Sequence, residues 1–192
     1  IVGGTTSLPN GNGWWNSSVV VHFVGSDGLA GVESLTTDVT VSTEGFNQAV
    51  TGTVVDQAGN SASLTVGAIN IDLTAPTVSA VRTPANGAGW NNNPVTVTFT
   101  AGDSLSGVAS AIGNTTLTGE GAVQTVTGRV VDAAGNSAGL TVTGINIDTT
   151  APVISGAPTT AANRAGWWRT DVTVHCTASD AGSGVASVTA DQ

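Results

Sequence analysis

The 192-residue sequence has few charged residues. They make up 9% of the chain, with four arginines, no lysine and a formal net charge of −9. Nucleic acids and anionic membrane surfaces both attract clusters of basic residues, so this acidic balance argues against either as a partner. Only two histidines occur, His22 and His175, and none lies between residues 73 and 148. No histidine-based catalytic set is therefore expected, and the sequence favours a non-enzymatic role.

Other absences narrow the fold and the location of the protein. Cys176 is the only cysteine, which excludes an internal disulfide and leaves the redox compartment open. No apolar run approaches the roughly 20 residues of a membrane-spanning helix, so no membrane insertion is expected. No signal peptide is visible at the N-terminus. Apolar residues never recur at helical spacing, and the abundant Gly, Thr and Val are poor helix formers.

The sequence does contain a block of about 76 residues that repeats along the chain. Trp14 recurs as Trp90 and Trp167, and the segment Asp-x-Ala-Gly-Asn-Ser-Ala occurs at 56–62 and again at 132–138. Self-similarity at a fixed period indicates an array of like units. We therefore divide the chain into two complete repeats, 1–72 and 73–148, and a partial third repeat at 149–192 that has strands A–C only.

Alternating apolar residues and threonines predict β-strands with one buried face. The clearest run is 95–101, where Val95, Val97 and Phe99 point inward; its counterparts are 19–25 and 172–178. Seven short strands per repeat are expected, which in the second repeat lie at 77–82, 95–101, 108–112, 115–118, 121–124, 125–131 and 137–147. The last loses its alternation at Gly144, which predicts a bulge. The fold class is all-β: tandem immunoglobulin-like Greek-key β-sandwiches.

The chain resembles the tandem bacterial immunoglobulin-like (Big-type) repeats of large extracellular and cell-surface adhesin proteins. The resemblance covers the whole chain, through Gly-Trp before strand B, Ser-Gly-Val-Ala-Ser after it, the Asp-x-Ala-Gly-Asn turn and Asn-Ile-Asp-x-Thr-Ala-Pro at each junction. It implies an extracellular location at a bacterial cell surface. Similar repeats often carry paired cysteines on strands B and C. Here only Cys176 remains, and it is expected to be a small buried hydrophobe.

Three aspartates of the second repeat are expected to converge. Asp103 and Asp132 continue the inward registers of strands B and F, and Asp72 lies in the connection that enters this repeat. Strands B and F belong to opposite sheets of such a sandwich, so the two carboxylates should meet over the top of the core. The equivalent positions are Asp148 with Asp180 at the next junction and Asp27 with Asp56 in the first repeat.

Two interpretations of these aspartates stay open. Three close carboxylates repel each other unless a cation binds, and hard oxygen ligands suit Ca²⁺, with Asn136 and Asn70 available to complete the site. The resemblance adds that some giant bacterial adhesins hold Ca²⁺ at domain junctions. Alternatively, Asp-x-Ala-Gly-Asn is a tight turn in which the aspartate accepts backbone N–H bonds. Glu44 and Glu120 each precede a glycine and also fit turns.

The tryptophans offer a weaker site. Their repeated position before strand B favours a core role, but Trp15 and Trp168 are the better candidates for exposure, because Asn91 replaces them in the second repeat. The linkers 73–76 and 149–152 lack glycine, and their proline fixes φ, so successive repeats are expected to form a semi-rigid rod.

These observations favour a spacer or stalk whose partners are neighbouring repeats of the same or another chain. One alternative is a module that binds a glycan or a host protein through Trp15 or Trp168. The other is a self-assembling filament subunit, in which strands from another chain complete the third repeat.

Overall fold

The computed structural model describes residues 1–192, which form 14 β-strands and no α-helix. The first repeat contains β1 Val2–Thr5, β2 Val19–Val24, β3 Val32–Leu35, β4 Val39–Val41, β5 Gly45–Asp56 and β6 Ser61–Ile71. The second contains β7 Thr77–Arg82, β8 Val95–Gly102, β9 Val108–Ala111, β10 Thr115–Leu117, β11 Gly121–Asp132 and β12 Ser137–Ile147. The third contains β13 Val153–Pro158 and β14 Val174–Ser179. The all-β fold class is therefore confirmed.

Each complete repeat is built from two three-stranded sheets with the same strand order. The first repeat has β1-β2-β4 and β3-β5-β6, and the second has β7-β8-β10 and β9-β11-β12. All the strand pairs of the first repeat are antiparallel, as are β8–β10 and β9–β11 in the second. Two antiparallel sheets per repeat support a β-sandwich, and the Greek-key immunoglobulin topology stays a prediction. No helix of the structure is long and apolar enough to cross a membrane.

The chain divides into two compact units. Unit 1 comprises Ile1–Ala80, Phe99–Gly113 and Thr127–Leu140, and unit 2 comprises Val81–Thr98, Asn114–Val126 and Thr141–Gln192. Unit 1 therefore contains the first repeat together with the start of β7, the end of β8, β9, the second half of β11, the start of β12 and the loops that join them. The repeat boundaries at 72/73 and 148/149 come from the sequence period and remain predictions.

The core of the first repeat forms where its two sheets face each other. Val19, Val21 and Phe23 of β2 pack in one cluster with Ile69 and Ile71 of β6, and all five are at most 2% exposed. Alternate residues of β2 point to opposite faces, so the inward register predicted for this strand is confirmed. In unit 2 the equivalent apolar residues are also buried: Val95, Val97, Ile145 and Ile147.

Two of the predicted strands form a single strand. The segments 121–124 and 125–131 are both part of β11, so a complete repeat has six strands instead of seven. The loss of alternation that predicted a break between these two segments is caused by a β-bulge within one strand. In the first repeat the β5–β6 register shifts on both sides of Gln48, which pairs with Ile69, and the adjacent Ala68 has φ of 59°. Gly144, where a bulge was predicted, is the equivalent residue in β12 and has φ of 68°.

The third repeat also differs from expectation. Strand C was predicted in it, but residues 185–188 form no strand and only β13 and β14 pair. In the second repeat the strand at this position, β9, bonds only to β11, so strand C depends on a single neighbouring strand. Cys176 on β14 is half-buried and not the buried hydrophobe that was expected.

Candidate functional site

Asp72 is the central residue of the candidate site, which lies within unit 1. It directly follows β6, is fully buried (0% exposed), and its backbone N–H donates to Trp15 O at 2.9 Å. Its Oδ1 accepts the Thr74 amide and its Oδ2 accepts the Ser106 amide, both at 3.1 Å. Its carbonyl oxygen accepts the Asn136 side-chain amide at 2.9 Å. The residue that leaves the first repeat is thus bonded to two loops of the second.

Asp103 and Asp132 each close one of these loops. Asp103 Oδ1 accepts the amides of Leu105 (3.1 Å) and Gly107 (2.6 Å). Asp132 Oδ1 accepts the amides of Gly135 (2.7 Å) and Asn136 (2.8 Å), and its Oδ2 accepts the Asn136 side chain at 2.9 Å. Gly135 has φ of 100°, a conformation that favours glycine. These are the bonds that the turn interpretation predicts.

The three carboxylates converge as predicted. Asp72, Asp103 and Asp132 each offer one oxygen, and these oxygens lie within 4.8 Å of one another. Calcium binds oxygens at about 2.3–2.6 Å, so two ligands of one ion are at most about 5 Å apart. The donor set and its spacing therefore fit Ca²⁺. The same carboxylates are already hydrogen-bonded to backbone amides, so the turns are satisfied without an ion, and both interpretations stay open.

The two asparagines that were expected to complete the site lie in different places. Asn136 belongs to the cluster through its bonds to Asp72 and Asp132. The Asn70 side chain is engaged elsewhere, because its Nδ2 donates to Gly13 O at 2.9 Å and its Oδ1 accepts the Asn47 amide at 2.8 Å. Asn70 therefore fixes the loop before β2 and is not a candidate ligand.

Asp148 and Asp180 repeat part of this arrangement in unit 2. Asp148 Oδ2 accepts the Ser183 amide at 2.6 Å, and Asp180 Oδ1 accepts the amides of Gly182 and Gly184 at 3.0 and 2.8 Å. Hydrogen bonds from Ser183 hold the pKa of Asp148 below its ordinary value. A Cβ on Gly182 would lie 2.5 Å from the Asp148 carboxylate, so this carboxylate lies directly against the glycine backbone.

Asp27 and Asp56 form the same pair of turns in the first repeat. Asp27 Oδ1 accepts three backbone amides from residues 29–31, and these lower the pKa of Asp27. The pKa of Asp56 is lowered chiefly by the Asn60 side chain, which donates to its Oδ2 at 2.8 Å, and by the Asn60 amide. Both carboxylates are therefore stabilised in the ionised form. No third aspartate accompanies this pair.

Two glutamates that were predicted only to lie in turns also accept hydrogen bonds from the linkers. Glu44 Oε1 accepts the Leu73 amide at 2.7 Å and the Thr74 hydroxyl at 2.8 Å. In unit 2, Glu120 Oε1 accepts the Thr149 amide and the hydroxyls of Thr149 and Thr150, and these hydroxyls lower its pKa. The recurrence of Glu-Gly at the same repeat position, with threonine in each linker, is the signal that could have identified this contact.

Sequence reasoning also missed two asparagines of the loop before β2. The side-chain amides of Asn10 and Asn12 both donate to Ala133 O, at 2.8 and 2.9 Å. Ala134 beside it is only 3% exposed, whereas the equivalent Ala58 of the first repeat is exposed. Asparagine recurs four residues before each first tryptophan, which could have marked this loop.

The exposure expected for the second tryptophan of each pair is wrong in the first repeat. Trp15 is 8% exposed, packs against the β2–β6 core and donates its indole N–H to Ser7 Oγ at 3.1 Å. Its backbone pairs with Ile71, as Asn91 pairs with Ile147, so this position continues the sheet whether or not it carries an aromatic ring. Trp168 is 39% exposed and Trp167 is 72% exposed. Only the third repeat therefore presents exposed tryptophans.

The two histidines lie on the outward face of their strands, as predicted. His22 Nδ1 lies 2.6 Å from Asp38 Oδ1, and His175 Nδ1 lies 2.6 Å from Asp191 Oδ1. All four side chains are about half exposed.

Neither a protein-family model nor a curated protein sequence matches this chain.

Proposed function

We propose that this chain is a non-enzymatic structural spacer, a stalk of tandem immunoglobulin-like repeats in a bacterial extracellular adhesin or surface filament. The observation that carries the proposal is the burial of Asp72 between the last strand of one repeat and two loops of the next. A connection that only linked two independent domains would be flexible and would make no bonds to the second domain. Here it is bonded on both sides, which suits a protein that holds neighbouring repeats in a fixed arrangement.

The acidic side chains support a structural role over a catalytic one. Asp72, Asp103 and Asp132 all accept backbone amides, so each carboxylate is committed to closing a loop or docking the linker. A general acid or base must instead reach the proton of a bound substrate. The low charge and the threonine-rich outer faces suit a soluble extracellular spacer.

Two equivalent asparagines provide the test of junction docking. Asn60 and Asn136 make the same bonds to the aspartate of their own loop, but only Asn136 also donates to Asp72 O. We expect Asn136→Ala to lower the free energy of unfolding by about 0.5–1.5 kcal/mol more than Asn60→Ala, the contribution of one hydrogen bond. Urea unfolding of both variants measures this difference. Equal losses would mean that the linker contact contributes nothing.

The proposal includes Ca²⁺ as a ligand of the junction. Asp72, Asp103 and Asp132 would hold it, and the ion would neutralise their mutual repulsion and stiffen the connection. Extracellular Ca²⁺ modules commonly have Kd values of about 10⁻⁴–10⁻³ M. At about ten times Kd, binding would add about 1.4 kcal/mol to the free energy of unfolding.

Asp103→Asn separates the calcium interpretation from the turn interpretation. The substitution keeps an Oδ1 that can accept the Leu105 and Gly107 amides, but it removes one charge from the cluster. We expect Ca²⁺ to raise the melting temperature of the unaltered protein, and this increase to be lost in the variant, which should melt no lower than the unaltered protein in chelator because one repelling charge is gone. Asp27→Asn, in the turn without a third aspartate, is the matched control and should retain the increase. If the unaltered protein melts at the same temperature with Ca²⁺ and with chelator, the calcium interpretation is wrong and the aspartates serve only to close turns.

A further inference from the structure

The long edge strand of the first repeat, β6, presents backbone groups that have no hydrogen-bond partner. Along residues 61–66 it pairs only with β5. The Asp56 amide donates to Asn60 O at 3.0 Å, and the β5–β6 register continues from this pair. Because backbone groups of an antiparallel strand point alternately to either side, the even-numbered residues of this segment bond to β5. The N–H and C=O groups of Ser63 and Thr65 therefore point away from the sheet.

This edge lacks the features that usually prevent a strand from pairing with another molecule. Such features are short length, proline and charged side chains. β6 has 11 residues, and none of residues 61–68 is charged or a proline. The other edge strands of the repeat are shorter, since β1 and β3 have four residues and β4 has three, and β3 also carries Glu33. β6 is therefore the edge of this repeat that is most open to another strand.

The corresponding edge of the second repeat is covered by an arginine. Arg82 Nη1 donates to Thr143 O at 3.1 Å and to Gly144 O at 2.9 Å, so its side chain lies across the free edge of β12. A strand that approached this edge would have to displace the guanidinium group.

The first repeat has a threonine where the second has this arginine. The next residue, Thr6 or Thr83, donates its amide to the equivalent carbonyl of the neighbouring strand in each repeat. Thr5 is therefore the counterpart of Arg82. Its short side chain provides no such cover for the edge of β6.

The openness of this edge does not depend on what precedes the repeat. Residues 63, 65 and 67 are exposed, and residues 64 and 66 are half-buried. The equivalent residues 139–143 show the same alternation, although the connection 73–76 precedes their repeat. The two edges therefore differ in the arginine and not in their exposure.

The segment 63–67 complements a second copy of itself. In an antiparallel pair with a two-fold axis at Leu64, Ser63 of one copy lies opposite Thr65 of the other, and each such pair exchanges two N–H···O bonds. The half-buried Leu64 side chains then meet on the inner face, and the serine and threonine hydroxyls meet on the outer face. No like charges are opposed across this contact.

We propose that two copies of this chain associate side by side through their β6 edges, antiparallel, with Ser63 of each copy bonded to Thr65 of the other. This contact goes beyond the proposed spacer function and does not depend on docking at the junction. The paired segment is short, so the association is weak and reversible.

Amide hydrogen exchange of the full chain tests the contact at its own residues. The Ser63 and Thr65 amides have no partner within one copy, so they should exchange rapidly in dilute solution and more slowly as the protein concentration rises. The Leu64 amide bonds to β5 and should be protected at every concentration. Rapid exchange of Ser63 and Thr65 at the highest soluble concentration would overturn the proposal.

Ser63→Pro tests the intermolecular hydrogen bonds. The substitution removes an N–H that points outward, a change that edge strands tolerate. Sedimentation equilibrium should show a dissociation constant raised by about tenfold, because the two-fold axis removes two hydrogen bonds at once. Ser63→Ala keeps the N–H and should associate like the unaltered chain. Equal association of the proline and alanine variants would contradict the proposed pairing.

Thr5→Arg tests the same contact without any change in β6. The new arginine should cover the carbonyls of Gly67 and Ala68, as Arg82 covers those of the second repeat, and should weaken association by about tenfold. Thr5→Ala is the control and should have no effect. Unchanged association of Thr5→Arg would overturn the proposal even if Ser63→Pro failed to fold. Comparison of Asn136→Ala with Asn60→Ala in dilute solution tests the junction separately, so the two proposals can fail independently.

Discussion

An aspartate closes the same loop in each complete repeat, but the burial of this aspartate differs between the two repeats. Asp56 and Asp132 make matching bonds to Asn60 and Asn136, yet Asp56 is half-buried and Asp132 is 1% exposed. The difference arises because Asp132 lies at the junction, beside Asp72. One residue type at one repeat position is thus a surface turn in one case and part of a buried acidic cluster in the other.

Glycine in the inner strands gives space to an aromatic ring. Gly52 and Gly128 occupy equivalent inward positions, and a Cβ on them would lie 2.6 Å from the Phe23 ring and 2.5 Å from the Phe99 ring. The rings therefore rest on the backbone of the opposite sheet. Glycine is required at these positions because the phenylalanine rings lie against the backbone, and not because of backbone conformation, since neither glycine has a positive φ.

We expect Gly128→Ala to lower the free energy of unfolding by about 1–3 kcal/mol, the effect of forcing a methyl group into a filled core. Urea unfolding measures the change. Gly67→Ala on β6 is the control, because its new methyl group would meet only Ala49 Cβ at 3.9 Å. A Gly128→Ala variant as stable as Gly67→Ala would show that the phenylalanine rings can move aside.

The sequence could predict the direction of side chains but not their distant neighbours. Alternation along two strands was enough to aim Asp103 and Asp132 at one point, and repetition was enough to place Asp72 in the connection. Burial of Trp15 depends on Ile69 and Ile71, more than 50 positions away, and an amphipathic indole is compatible with either surface or core. The contacts of Asn10 and Asn12 with Ala133 span more than 120 positions, and the recurrence of Asn10 marks its loop without revealing this partner.

At the scale of the strand, the long antiparallel pair of each repeat is maintained through a bulge and not interrupted by a turn. The bulge places residues with positive φ on both strands, at Asn47 and Ala68 in the first repeat and at Val123 and Gly144 in the second. Asparagine and glycine adopt this conformation readily, whereas a β-branched residue is strained there. Val123, with φ of 56°, carries this strain.

Val123→Asn should therefore raise the free energy of unfolding by about 1 kcal/mol. The equivalent residue of the first repeat is already Asn47, and Val123 is 71% exposed, so the substitution removes little packing. Thermal unfolding monitored by calorimetry measures the change. Asn47→Val, the reverse substitution, should destabilise by a similar amount. A Val123→Asn variant no more stable than the unaltered chain would contradict the strain.

Strands were predicted correctly where alternation along the strand itself identified them. The prediction failed where the strand depended on pairing with another strand. Strict alternation marked β2 and β8 correctly because each has one buried face. The division of β11 was wrong because a bulge and a strand end produce the same loss of phase. Strand C of the third repeat was wrong because a strand needs a hydrogen-bonded neighbour, and the sequence of residues 185–188 does not reveal whether one is present.

At the scale of the whole molecule, repetition and docking together support the proposed spacer. The sequence shows like units in series, and the structure shows that Asp72, which begins the connection leaving the first of them, is buried and bonded to loops of the second. Glu44 holds one side of this connection, and Ser106 and Asn136 hold the other. Periodicity predicted the units and the acidic positions, but the docking contacts come from backbone amides, which sequence patterns do not report.

Native-state hydrogen exchange of the Ser106 amide tests most directly whether the linker aspartate docks onto the following repeat. This amide donates to Asp72 Oδ2 across the junction. We expect it to be protected as strongly as the amides within β8, because the bond breaks only when the junction opens. Exchange of Ser106 as fast as that of the exposed Ser104 would show that Asp72 and this loop are not held together, and would contradict the account.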